Sequence, residues 1–320
     1  MPPYEAPDEL RITRIYDAPV AAVWDAWTID DRVRQWWGPR GFSVTTHDKA
    51  LHPGGSWTYT MHGPDGTDWP NFTRYHEVVP HERLVYDHGA TAADARPLFR
   101  VTATFTDLGA RTELDLRMRL ESAEAAARTR AFVKSAGGDA TWDRLAEFLE
   151  KTTAQTDVFV IARSFATDIE TLFDLWTTPA AFERWLPPTG MTMRFHRVDI
   201  RPGGDAFYSM GNDDVTMHGR IAYTHIDRPH RLQYTQSFTD AEERLSRAPM
   251  MPAWPAYMHA TVQFAEEGPS RTRVSVRWQP DVSTTDEELA VFVASRAGVT
   301  LGWTGSFDKL DAMIRDGVGA

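Results

Sequence analysis

The 320-residue chain contains no cysteine. Disulfides, thiolate nucleophiles and thiolate metal sites are thereby excluded, which fits a reducing cytoplasm, the expected location. Long apolar runs are also missing. Nowhere do about 18 apolar residues follow one another, and the start MPPYEAPDEL lacks the basic end and apolar stretch of a signal peptide. Positive charge is in deficit: 34 Lys+Arg against 45 Asp+Glu give a net charge of -11, the wrong sign for steering toward nucleic acid or an anionic membrane. Neither is expected as a partner. The 11 histidines include no HExxH pair and the serines no GxSxG elbow, so neither a metal, nor another cofactor, nor a covalent nucleophile is expected. Tryptophan, by contrast, is abundant. Twelve indoles must be placed in cores, pockets or interfaces, because each carries a large apolar area and a single N–H.

Compared with itself, the chain matches at an offset of 149 without a gap from Ile12 to His81, with 19 identities in 70 columns. These include Trp27/Trp176, Trp36/Trp185, His47/His196, Pro53-Gly54-Gly55/Pro202-Gly203-Gly204, Tyr59/Tyr208, Met61/Met210, His76/His225 and His81/His230. After one deletion the match continues through Leu84/Leu232 and Tyr86/Tyr234, and near the end Trp142-Asp143 falls on Phe307-Asp308. Duplication explains this, with domains expected over 1–152 and 153–320 and a boundary in the polar run Lys151 to Asp157. Each half is long enough to bury its own core.

Within one copy, Arg11 to Tyr16 alternates as a strand. Pro19 then opens a helix with Val20, Val23, Trp24 and Trp27 at helical spacing, and a second short helix spans about Asp30 to Trp36. Alternating stretches follow: Phe42 to Leu51, Ser56 to His62, Phe72 to Val79, Leu84 to His88, Phe99 to Thr106 and Thr112 to Leu120. They predict an antiparallel sheet of about six or seven strands. Helices from Ala123 to Val133, stopped by Gly137-Gly138, and from Asp139 to Lys151 close the unit. The second copy repeats this order and ends on a helix from about Leu301 to Ile314, the acidic run from Thr284 being a solvated helix start. Its novelty is APMMPAWPAYMHA, Ala248 to Ala260, whose prolines predict an apolar loop leading into a strand.

This element order resembles the helix-grip fold of the START and birch-pollen-allergen superfamily, SRPBCC. DAPVAAVWDAWT, RQWWGPRGF, PGGSWTYTMHGPDG, EVVPHERLVY and TWDRLAEFLE are similar to the bacterial proteins related to the activator of heat-shock protein 90 ATPase. ERWLPPTGM, RPGGDAFYSM, THIDRPHRLQY and LGWTGSFDKLDAMI carry the likeness into the second half. The resemblance implies an α+β chain of two tandem helix-grip domains. In each, a curved antiparallel sheet wraps a long C-terminal helix, with two short helices after the first strand. It further implies an apolar cavity holding a small hydrophobic molecule, without catalysis. A chaperone partner, suggested by the family name, and a cyclase or hydrolase using the same cavity are the alternatives.

A phosphate-cradling glycine loop leads into a helix N-terminus, whereas Pro-Gly-Gly here leads into a strand, so the glycines are read as a turn. Beyond it the large residues share one face by the two-residue period, and the resemblance makes that face a cavity wall. In the first half the expected lining is Trp37, Phe42, Trp57, Tyr59, Met61, Trp69, Tyr75, Phe99 and Trp142. In the second it is Leu186, Met191, Tyr208, Met210, His218, Tyr223, Met251, Trp254, Tyr257 and Trp303. If acid-base chemistry occurs, His62, His76, Asp87, His88, His218 and His259 are its candidate groups.

Overall fold

A computed structural model describes residues 6–89, 97–135, 140–153 and 157–317, the side chains of 132–135 excepted. The chain divides into two compact units, Met1–Thr152 and Thr153–Ala320. In the first, β1 (Glu9–Tyr16), α1 (Val20–Thr28) and α2 (Asp30–Val33) precede β2 (Ser43–Lys49), β3 (Ser56–His62), β4 (Asp68–Val79), β5 (Arg83–Gly89), β6 (Phe99–Asp107) and β7 (Thr112–Arg119), with α3 (Ala123–Ser135) and α4 (Ala140–Thr153) last. The strands form one antiparallel sheet in the order β1-β7-β6-β5-β4-β3-β2. The second unit repeats it with β8 (Phe159–Phe165), α5 (Ile169–Thr177), α6 (Pro179–Trp185), β9 (Thr192–Val198), β10 (Asp205–Gly211), β11 (Thr216–Asp227), β12 (Arg231–Thr239), β13 (Met258–Gly268) and β14 (Arg271–Pro280), in the order β8-β14-β13-β12-β11-β10-β9. The glycine stop at Gly137-Gly138, the helix start at Asp139 and linker residues 154–156 lie outside the described residues.

The shared tryptophans have a job at the helix ends. The last carbonyls of a helix have no partner inside it. Trp36 and Trp185, both fully buried, donate their indole N–H to the carbonyls of Ala26 and Leu175, each at 2.9 Å. The indole thus fills the space beside the preceding helix and satisfies one of its orphaned acceptors. Thr112 and Thr272, at the starts of β7 and β14, donate to the carbonyls of Ala18 and Thr167 at 2.7 and 3.0 Å, tying those strands to the chain entering the helix.

The Pro-Gly-Gly stretch is a turn whose donors are already used. Gly54 and Gly203 adopt φ of +83° and +79°, and their N–H groups donate to the carbonyls of Tyr75 and Tyr223, both at 2.8 Å. At Gly55 and Gly204 the constraint is space, since an added Cβ would lie 2.1 Å from the Ala50 carbonyl oxygen and 2.2 Å from that of Asp199. Gly55→Ala is therefore expected to cost its domain more than about 1 kcal/mol, measured by urea unfolding, because backbone rather than a pliable side chain must move. An unchanged midpoint would remove the steric argument.

Two sequence expectations change. The last helix, α7 (Asp286–Arg315), is 30 residues long and continuous, joining the helix start expected from Thr284 to the helix expected from about Leu301. It starts in a capping box: Thr285 Oγ1 accepts from the Glu288 N–H at 3.3 Å while the Glu288 carboxylate accepts from the Thr285 N–H at 3.0 Å. The second change concerns register. Met61 pairs with Trp69 but Met210 with Met217, so the missing residue lies in the β10–β11 hairpin and not beyond His81. From there the two halves correspond at an offset of 148. A slip of one residue exchanges the faces of a strand, so Trp69 corresponds to Met217 rather than His218, and the identities His76/His225 and His81/His230 are not shared positions. His47 and His196, upstream of the hairpin, are: each sits at a bulge and bonds a hydroxyl of the neighbouring strand, Thr60 at 2.8 Å and Ser209 at 2.9 Å.

Candidate functional site

In the second half, residues of one strand face lie under α7. Tyr208 and Met210 of β10, Met217 and Ile221 of β11, and Tyr234 and Gln236 of β12 form the floor of a cavity of about 500 Å³. Its roof is a single face of α7, on which Ser295, Gly298, Val299, Gly302, Trp303 and Ser306 recur at helical spacing. The two glycines explain why space remains there: a Cβ at Gly298 meets no atom within 4 Å, and one at Gly302 only the Pro188 ring at 3.8 Å. Large side chains at either point would fill the volume. The proline-rich segment before β13 supplies a wall through Ala248, Met250, Met251, Trp254 and Pro255, with the Trp254 ring set edge-on against Phe292 at 5.7 Å. Met250 remains 71% exposed, which marks this side as the mouth.

Polar atoms are few. Gln236 Nε2 donates to the Tyr208 hydroxyl at 2.8 Å, and burial pushes the Tyr208 phenol up to about 12. Burial also raises the Tyr234 phenol, and the buried Trp278 indole N–H beside it has no hydrogen-bond partner among the described residues. Ser306 Oγ reaches the Leu186 carbonyl at 2.5 Å, and Lys309, one turn below, donates to the carbonyl of Pro187, pinning the loop after α6 against the helix. Among the described residues, no carboxylate, amine, guanidinium or imidazole lines the cavity.

The first half uses the same face differently. Trp57 and Tyr59 of β3 stack with centroids 3.9 Å apart, Trp37 sets its edge on Trp57 at 5.7 Å and donates to the Tyr59 hydroxyl at 3.1 Å, and Trp142 of α4 stacks on Trp27 at 5.7 Å. Arg144, in the position of Lys309, collects the carbonyls of Gly38 and Pro39 at 2.8 Å and of Phe42 at 3.2 Å. The loop carrying Trp37 is thereby latched to α4.

The sequence model of one family, described as Activator of Hsp90 ATPase homolog 1-like protein, matches residues 17–150 and again 166–315. The chain belongs to this family, AHSA1. Its two matches are the two halves of the duplication. No curated protein matches the sequence. Similar solved structures include a protein from Nitrosomonas europaea, 22% identical over 47% of this chain and 99% of that one, with a TM-score of 0.43. The AHSA1 protein from Silicibacter pomeroyi is 22% identical over 50% and 98%, TM-score 0.38. The di-domain ARO/CYC BexL from the BE-7585A biosynthetic pathway is 14% identical over 95% and 97%, TM-score 0.40.

In this tandem AHSA1 chain the expected lining of the second half is brought together in part. Leu186, Tyr208, Met210, Met251, Trp254 and Trp303 line the cavity. Met191, Tyr223, Tyr257 and His218 do not. Tyr223 packs edge-on against Tyr234 at 6.0 Å, and Tyr257 is 39% exposed. His218 lies on the outer face, stacked on Phe207 at 5.8 Å, a direct consequence of the hairpin deletion. In the first half Trp57, Tyr59, Tyr75 and Trp142 are buried and Trp37, Phe42, Met61 and Phe99 half-buried, while Trp69, at the open end of its hairpin, is 49% exposed.

Of the groups nominated for proton transfer, only His88 faces inward, stacked on Phe99 at 4.8 Å. His62 bonds Asp68, His76 and Arg100 share Asp87, and His259 bonds Asp281, all on the outer faces. Phase explains it: in β5, Leu84, Tyr86 and His88 alternate inward while Asp87 points out. Tyr234, Gln236, Met217, Gly298 and Gly302 were missed. The four-residue spacing of the glycines on one helix face was a readable signal, and the hairpin register was not.

Proposed function

We propose that this AHSA1 protein is a cytoplasmic receptor for a small hydrophobic molecule, held without chemical change in the cavity of its second half. The observation that carries the reading is the cavity itself: about 500 Å³, walled by aromatic and methionine side chains, with no carboxylate, amine or imidazole among its described lining residues. That volume suits a drug-sized ligand, and apolar walls with a few convergent polar atoms are the composition of small-molecule sites. The first half offers its own concave aromatic face, where His88 stands at the place of Gln236, so any molecule it takes is expected to differ.

The test is a titration of the full chain with N-phenyl-1-naphthylamine, a neutral dye that brightens in apolar surroundings. Saturable enhancement, with energy transfer from Trp254, Trp278 and Trp303, is the expected result. A linear, non-saturating response would overturn the reading.

A further inference from the structure

We infer that the molecule bound in the second half is uncharged and carries a hydrogen-bond-accepting oxygen, a ketone or quinone carbonyl, set against Tyr208 and Tyr234. This rests on the receptor reading above and narrows its ligand class. The first argument is charge. With no Asp, Glu, Lys, Arg or His among the described lining residues, a carboxylate or ammonium inside the cavity loses its water and meets no counter-ion. Anions and cations are selected against.

The second argument is the hydrogen-bond inventory. The Tyr208 hydroxyl accepts from Gln236 Nε2, leaving its own hydrogen to give away and Gln236 Oε1 to accept. Turning the amide round only exchanges the roles, and the pair still presents at least one donor and one acceptor. Tyr234 adds a second phenol beside the Trp278 indole N–H, and no described residue accepts its hydrogen. Both phenols remain neutral donors, since burial raises their pKa values. Gly219 secures the arrangement: it pairs with Tyr208 across the sheet, and a Cβ there would lie 2.4 Å from the phenol oxygen. A bare backbone at 219 therefore lets the phenol lie over β11 toward Gln236. Met210, Met217, Met250, Met251 and Met258 complete a wall of pliable thioethers suited to a flat or irregular apolar body.

Three probes of one shape decide it: 2-acetylnaphthalene, its oxygen-free analogue 2-isopropenylnaphthalene, and 2-naphthoate, titrated into the full chain at pH 7 by tryptophan quenching. The ketone is expected to bind about threefold to tenfold tighter than the hydrocarbon, the worth of one net neutral hydrogen bond. Naphthoate is expected to bind weakest. Tyr208→Phe with Tyr234→Phe should abolish the ketone's advantage over the hydrocarbon. Equal affinities of ketone and hydrocarbon for the wild-type chain, or naphthoate binding tightest, overturn the inference and leave the receptor reading standing. If none of the three binds, the receptor reading falls and takes the inference with it. The wild-type comparison needs no variant to fold.

Discussion

Gly298→Leu combined with Gly302→Phe is expected to weaken N-phenyl-1-naphthylamine binding by roughly two orders of magnitude without unfolding the protein. Both positions are on the face of α7 that roofs the cavity, and both have room for a Cβ. The two new side chains would deny a ligand about 100 Å² of apolar contact, which at about 25 cal/mol per Å² is ~2.5 kcal/mol, or nearly a hundredfold. Stability should move the other way. Each glycine in a helix interior costs about 1 kcal/mol against a good helix former, and the added methyl and ring groups enter a volume lined by apolar atoms. The measurements are a dye titration and a thermal melt on the same sample. Unchanged affinity with a raised melting temperature would show that the dye sits elsewhere, and would place the receptor site outside this cavity.

The second large effect is a pH dependence located in the first half. His88 is half-buried on the inner sheet face, and burial pushes its pKa down to about 4. An unfolded chain takes up that proton near pH 6.5. Between these values the unfolded state binds the proton and the folded state does not, so stability is complete above pH 6.5 and falls as the pH drops toward 4. The limit of the loss is about 3 kcal/mol. His88→Phe keeps an aromatic ring against Phe99 and removes the proton site. Urea unfolding at pH 7.0, 5.5 and 4.5 is expected to show wild type losing about 2 kcal/mol more than the variant over that range. Carboxylates held below their ordinary range, as Asp87 is beside Arg100 and Asp115 beside Arg11, begin to lose their contribution near the foot of this window, but they do so alike in both proteins and cancel in the comparison. Parallel profiles for the two proteins would mean that the ring is protonated in place and not buried in the sense argued here.

Much of this molecule could be read before any coordinates. The strand from Ser56 to His62 alternates Trp57, Tyr59 and Met61 against threonines, and the structure sets those three on one face. Pro-Gly-Gly followed by a strand meant a turn, and the bonds of Gly54 and Gly203 to Tyr75 and Tyr223 show where its donors went. Histidine was harder. His88 and His76 are equally polar in the sequence, yet a two-residue period puts one inside and the other on the outer face beside Asp87. His218 was misplaced because identity counting favoured one ungapped register, and a hairpin shortened by one residue reverses every face beyond it.

The duplication, the order of elements and the set of side chains sharing each strand face were determined by the sequence alone, because they follow from local periodicity and from the chain's likeness to itself. Only tertiary structure decided which of those faces encloses empty space. That outcome depends on Gly298 and Gly302, roughly eighty to ninety residues along from Gly211 and Gly219, being laid over the Tyr208 face by α7. No local pattern in either segment records the other, since a void is the property of two surfaces that meet.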